Sequence, residues 1–485
     1  MTQVLVVLWF DTEDFVNPES DEIPLRIANM MEKHGIKVVF KIVGEKLRGL
    51  RKRNRTDVID AMSRHDIGYH TNLHSIHPIM SEYVDDLPWD EGAAEFEKNE
   101  RIGYDDLMNT FGRVTCFGQP GLSWVPQAYP VLKDKWKIPV YLDETFTLGS
   151  VNDRPFWYCN MLNLMCLRNN VMSLDACGPY NPTGERLLTL PDEFDNIYQR
   201  LRSDDEVGLI SIFCHPTTYA TKEFWDQVNY SKGANPRNSP LTVPIKSSQE
   251  IERDLAHLEK LVIHMKSKPD VRFITSEDAL SIYHDATGGM RVSSSELRKL
   301  CEKSTRGITY QTLDNGVWFS AAEVFSMVLF ALSQYASEGT LPDSIISSRP
   351  LGPKEKCETA TDGNKLDLRD FLESSVSEYG EENRTGYLSS SVKIKGSSLS
   401  PADMFATCCI VYSILFDARG TDPPKSVMIQ RGNFEVGYTV TEEGAKKDWK
   451  YYLSPDNFEA YEQVKLARLQ TWTLKPASVD VFRLH

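Results

Sequence analysis

Three histidines fall within eight residues in the stretch Asp66-Ile67-Gly68-Tyr69-His70-Thr71-Asn72-Leu73-His74-Ser75-Ile76-His77-Pro78. His70 and His74 stand at i and i+4, a spacing that in one helical turn faces both imidazoles toward one point. Two nitrogen donors so placed suit a single transition metal, with zinc the best match. An acidic cluster, Phe10-Asp11-Thr12-Glu13-Asp14, follows an early apolar run. Two histidines and one carboxylate, with positions left open to water, make a hydrolytic metal site. Either Glu13 or Asp14 satisfies the carboxylate, and spacing does not choose between them. His77, three residues past His74, is read as a surface residue or one that supports a ligand. A further histidine, His215, ends the apolar run Leu209-Ile210-Ser211-Ile212-Phe213-Cys214.

These groups need a frame to bring them together. Residues 4–10 read as a fully buried strand, 23–35 as a helix closed by Gly35, and 38–43 as a second strand. A helix over 56–65 and a short strand over 67–69 lead into the histidines. Strand, helix, strand, helix, strand is the signature of a parallel α/β sheet or barrel. Later strands are expected at 140–142, 208–213 and 271–274, and helices at 249–266 and 276–283. In such folds functional side chains gather at the carboxyl ends of strands. Asp11, Glu13 and Asp14 follow the first strand, His70 and His74 the third, and His215 a later one.

At 485 residues the chain exceeds one ordinary core, so two or three domains are expected. Lys and Arg number 54 against 69 Asp and Glu, a formal charge of -15, which argues against a nucleic-acid backbone or an anionic membrane surface as partner. No 18-residue apolar run and no leader are visible, and the nine cysteines are scattered with no CxxC. Free thiols in a reducing cytoplasm fit that pattern. Composition shifts near 284–296, where a linker is expected. Beyond it Ser320-Ala321-Ala322-Glu323-Val324-Phe325 echoes Ser400-Pro401-Ala402-Asp403-Met404-Phe405. Each is an N-cap serine, an acid three residues on, and an apolar helix. Two repeats, about 306–350 and 385–435, suggest a smaller, mostly helical accessory domain over 290–485. Its expected roles are packing on the first domain, a homo-oligomer contact or partner binding. If it is independent, its removal leaves metal binding intact. Residues 352–399 read as polar loop.

Residues of about 1–285 resemble the polysaccharide deacetylase (NodB-homology) family of metal-dependent de-N-acetylases. Phe10-Asp11-Thr12-Glu13-Asp14 looks like its first motif. Val38-Val39-Phe40-Lys41-Ile42-Val43-Gly44 looks like its second strand, and His70-Thr71-Asn72-Leu73-His74 fits H-[ST]-x-x-H. Leu209–Pro216 resembles the strand of the catalytic histidine, and Phe273–Asp278 the segment that closes the domain. The resemblance implies a distorted (β/α) barrel, a divalent metal held by His70, His74 and Glu13 or Asp14, Asp11 as base and His215 as acid. It implies release of an N-acetyl group from a sugar or glycan. Two departures stand out. The family's third motif carries an Arg beside Pro, whereas Phe117-Gly118-Gln119-Pro120-Gly121 has none, leaving Gln119 either as a substitute donor or as a residue packed in a turn. Asp143, beside Glu144, takes the place of the fourth-motif acid. Relatives without that Arg include allantoinase-like hydrolases of cyclic amides and ureides, which form a second reading. A degenerate glycan-binding protein is the third.

Overall fold

The computed structural model describes residues 3–142, 154–164, 169–179, 181, 184–203, 207–361, 364–418, 422–433 and 452–479. The first strand, β1 (Val4–Thr12), is buried along its whole length. Its side chains are apolar on both faces, as a strand covered on both sides requires. Parallel partners follow: β2 (Val39–Ile42), β3 (Asp66–Tyr69), β4 (Cys116–Phe117) and β5 (Val140–Tyr141) run outward on one side. On the other side β9 (Gly208–Cys214) pairs β1 and then β8 (Val171–Ser173), while β10 (Val271–Ile274) pairs the start of β1. Past β5 the sheet turns antiparallel through β7 (Met161–Asn163) and β6 (Phe156–Tyr158).

The expected barrel is therefore corrected to a mixed, open half-barrel. Among the described residues no ladder joins β8 to the far edge. The helices between strands bury the predicted stripes, as in Glu22–Lys33, where Ile23, Ile27 and Met31 face the core. A 23-residue helix, Trp89–Phe111, was not foreseen. Only Trp89, Phe96 and Leu107 of its large apolar side chains are buried, so its stripe is thin.

A second core lies around the helices Ser294–Ser304, Ala321–Glu338, Leu368–Thr385 and Pro401–Asp417. Ser320 and Ser400 cap two of them by accepting from the backbone N–H of Glu323 and Asp403. Residues 352–399 are not the polar loop expected. They hold the helix Leu368–Thr385, capped by Asp367, and the hairpin Val392–Ile394/Ser397–Leu399. The helix buries Leu368, Phe371 and Leu372, a stripe that its many charged residues obscure.

The chain then returns to the first domain. The helix Tyr461–Gln470 places Val464, Leu466 and Ala467 in the first core. The strand Lys475–Pro476 adds antiparallel to β6, so the edge of the sheet is completed from the far end of the chain. The described residues of 290–485 are thus divided between the two cores. Lys475, 3% exposed, ties them together, with Nζ 2.7 Å from Asp285 and 2.6 Å from Glu323. Removing one partner of a buried ion pair strands the others in low dielectric. Lys475→Met is expected to cost about 3–5 kcal/mol. A denaturant midpoint equal to wild type would contradict this. No helix among the described residues is long and apolar enough to cross a membrane.

Candidate metal centre and its flanking pairs

The His70–His74 segment is not a helical turn. It is a loop with left-handed residues at Thr71 (φ 66°) and His74 (φ 52°). The neighbouring strand exit fixes it, since Gly44 and Glu45 donate backbone N–H groups to the carbonyls of Thr71 and Asn72. Thr71 Oγ1 accepts from the His74 N–H at 3.2 Å. These constraints hold two non-glycine residues at positive φ and set the imidazole centroids 4.9 Å apart. The i, i+4 spacing pointed to the right pair for the wrong backbone reason.

Glu13 joins them. Its Oε2 lies 2.8 Å from His74 Nε2 and 3.5 Å from His70 Nε2. Among the described residues, Glu13, His70 and His74 are the group of possible ligands drawn close enough to share one ion, and all three are buried. Asp14 faces elsewhere: its carboxylate accepts from the backbone of Val16 and Asn17 and from Thr217 Oγ1 at 2.6 Å. The two consecutive carboxylates thus point apart, Glu13 toward the histidines and Asp14 toward its own turn.

The donor set fits a divalent ion. A ring nitrogen binds a metal only through a free lone pair, so the other nitrogen must carry the proton. His70 Nδ1 donates to the Gly118 carbonyl at 3.0 Å. Ser75 Oγ gives its proton to Asp226 at 2.7 Å, so His74 Nδ1 donates to that oxygen at 2.6 Å. Both Nε2 atoms therefore face Glu13 bare when the rings are neutral. Glu13 Oε1 accepts from Trp225 Nε1 at 2.8 Å, which turns Oε2 to the histidines. Burial raises the Glu13 carboxyl, but the charges of His74 and His215 outweigh it in the metal-free protein and hold the group well below its ordinary range.

Two ion pairs flank this cluster. Lys41, on β2 opposite Asp11 in register, is fully buried with Nζ 2.9 Å from Asp11 Oδ1. Gly68 on β3 makes its space, because a Cβ there would meet Lys41 Cγ at 2.8 Å and Cys116 Sγ at 2.6 Å. Burial raises the Asp11 carboxyl, yet Lys41, His70 and His215 hold it below its ordinary value. The second pair is His215 with Asp175, which accepts from the His215 backbone N–H at 2.8 Å and lies 2.9 Å from Nδ1. Burial lowers the His215 ring, but Asp175 and Glu13 raise it to about 10. His215 Nε2 stands 3.8 Å from Asp11 Oδ2, so the pairs face one another.

Gln119 is buried and donates to the Gly121 carbonyl at 3.0 Å, within its own turn. Asp143 lies outside the described residues. His77 supports the loop, bonding Glu82 and the Tyr230 carbonyl. Four contributors escaped the sequence reading: Lys41, Asp175, Trp225 and Asp226. Lys41 had a signal, a lone charge in an otherwise apolar strand. Asp175 had a weaker one, an acid just past a short β8.

Lys41→Met leaves the Asp11 carboxylate buried beside one fewer cation, at an expected cost of about 3–5 kcal/mol near neutral pH. A carboxyl with a depressed folded pKa stabilises above its unfolded value of 3.8 and loses that contribution as pH falls. The gap between wild type and variant should therefore narrow below that pH. Denaturant titrations at neutral and acid pH measure it, and a pH-independent gap would refute the role of Asp11.

No family model and no curated protein sequence matches the chain. Among solved structures it is similar to an allantoinase at 14% identity and a TM-score of 0.37, over 57% of this chain and 89% of that one. It is also similar to a CE4 esterase from Streptococcus mutans at 13% identity and 0.33, over 56% and 86%. A CE4-family pseudoenzyme from Bacillus anthracis matches at 14% and 0.28, over 56% of this chain and 63% of that one.

Proposed function

We propose that this chain is a metal-dependent amide hydrolase that releases acetate from an N-acetylated sugar or glycan. One observation carries the reading. Two bare Nε2 atoms and a carboxylate converge at one point, and two ion pairs, Lys41–Asp11 and His215–Asp175, flank that point. Bound at Glu13, His70 and His74, a divalent ion would supply Lewis-acid activation of water and of the amide carbonyl. Asp11, kept ionised by Lys41, accepts the proton of the attacking water. His215, kept protonated by Asp175, gives a proton to the departing nitrogen. The amide C–N bond breaks, water is consumed, and a carboxylic acid and an amine leave. Asp11 then holds one proton too many and His215 one too few. A water bridging the 3.8 Å between them would return the proton and close the cycle.

The second core supports an accessory role for the duplicated helices. In each half a capped helix follows a two-stranded hairpin, Gln311–Thr312/Trp318–Phe319 before Ala321–Glu338, and Val392–Ile394/Ser397–Leu399 before Pro401–Asp417. The decisive experiment offers zinc-loaded protein N-acetylglucosamine oligomers and allantoin and assays acetate and ureide hydrolysis. Acetate release supports the proposal. Ureide opening alone replaces it with the allantoinase-like reading. Neither product, with zinc bound, favours a binding protein.

A further inference from the structure

The C-terminal segment reaches the metal centre. After the excursion through the second core, Tyr452 comes back beside the loop that carries Trp225 and Asp226. Its hydroxyl donates to Asp226 Oδ1. The other oxygen of Asp226 accepts from Ser75, and Ser75 accepts from His74 Nδ1. Tyr452, Asp226, Ser75 and His74 thus form one connected network, in which His74 Nδ1 donates to Ser75 and both Ser75 and Tyr452 donate to Asp226. Asp226 and Ser75 are completely buried, and His74 is 4% exposed.

The segment is also held from outside this chain of bonds. The backbone N–H groups of Lys232 and Gly233 donate to the carbonyls of Tyr452 and Leu453. Leu453 is buried against Phe224, Trp225 and Tyr230. Gly233, at φ 77°, sits so close that a Cβ would meet Pro455 Cγ at 2.7 Å. The same short loop therefore grips the C-terminal segment on one side. On the other it orients Glu13 through Trp225 and His74 through Asp226.

We propose that Tyr452 is a positioning residue for the metal centre, so that ion affinity in the first domain depends on a segment more than two hundred residues downstream of Asp226. This rests on the metal reading above and deepens it. A carboxylate that accepts from the hydroxyl on a ligand histidine fixes the ring's tautomer and aim. Asp226 has two oxygens to satisfy in a dry site, and Tyr452 satisfies the second. Without that donor the carboxylate is under-bonded, free to rotate, and less able to hold Ser75 in line. The consequence for domain architecture is direct: the centre is not a property of residues 1–285 alone, and the expectation that deletion of 290–485 spares metal binding is replaced by its opposite.

The test uses the full-length protein and zinc alone as probe, in competition with a chromophoric chelator. Tyr452→Phe removes one oxygen and is expected to weaken zinc binding about tenfold, at the lower end of what loss of an outer partner does. Ser75→Ala should weaken it similarly. The double variant should be no weaker than the worse single one, because both break the same chain. Pro455→Ala trims the same segment without touching these bonds and should leave affinity at the wild-type value. In the cobalt-substituted protein, Tyr452→Phe should also shift the visible ligand-field bands, which report ligand geometry and not general packing. Wild-type affinity in Tyr452→Phe, or additive losses in the double variant, would overturn the inference while leaving the metal site standing. A wild-type protein that takes up no zinc would instead overturn the metal reading on which it rests.

Discussion

Replacing His70 and His74 together by alanine is expected to take zinc content from about one ion per chain to none. The remaining ligand would be Glu13, and one carboxylate does not form a closed site for an ion that favours nitrogen and sulfur donors. The thermodynamic signature is as large as the analytical one. Zinc at about a hundred times its Kd stabilises a protein that binds it only when folded by about 2.7 kcal/mol. Wild type should gain that increment and the double variant should gain nothing. Removing both rings also leaves buried Glu13 without its histidine partners, so the variant is expected to lose some stability of its own, and the zinc increment is read within each protein, with and without the ion. Elemental analysis and unfolding curves with and without zinc measure both effects. One ion per chain retained by the variant would remove the centre described above.

The second large effect concerns Asp175. With this carboxylate in place His215 stays protonated to about pH 10 in the metal-free protein. Asp175→Asn keeps an acceptor for the His215 backbone N–H but turns an N–H toward Nδ1, which favours the neutral ring with its proton on Nε2. The ring should then titrate nearer its ordinary 6.5. Histidine NMR reads this directly: at pH 8 the wild-type imidazole is expected charged and the variant's neutral. The stability consequence has a fixed sign. A folded pKa above the unfolded one contributes stability that is complete below pH 6.5 and disappears as pH rises through about 10. The wild-type advantage over Asp175→Asn should therefore be largest in mild acid and vanish at high pH. An ion at Glu13 cancels that carboxylate's share of the shift and leaves the share of Asp175. If His215 is the acid, the variant should lose a factor of about 10²–10⁴ in kcat, with the basic limb of its pH profile moved down. A titration of His215 unchanged by the substitution would sink the pairing.

The strands of the half-barrel and most of its helices were legible because each buries a stripe or run that local pattern encodes. The run Val4–Phe10 is apolar at every position, and no pattern but a strand buried on both faces accounts for seven such residues between a polar start and an acid cluster. The helix Leu368–Thr385 was lost in a region rich in charge because only a few of its positions are buried. The very short strands β4, β6, β7 and β8 carry too few residues for a period to show. Ladder closure was likewise invisible: whether a strand series shuts into a barrel depends on the partners at its two edges, and one of those edges is taken by Lys475–Pro476.

By itself, the sequence determined which chemistry was at hand: two histidines, an acid cluster and a third histidine, each at the end of an apolar strand. Strand ends in a parallel sheet share one edge, so their convergence follows from connectivity. Tertiary structure alone decided which side chains face inward. It turned Glu13 to the histidines and Asp14 away from them, because the chain turns at Asp14 and spends that carboxylate on backbone N–H groups. It supplied Lys41 from the strand beside Asp11 and Asp175 from the strand beside His215, partners set by register across a sheet and not by distance along the chain. It also brought Tyr452 to Asp226 across 226 positions. Such contacts depend on how two separately formed surfaces meet, and no local pattern in either segment records the other.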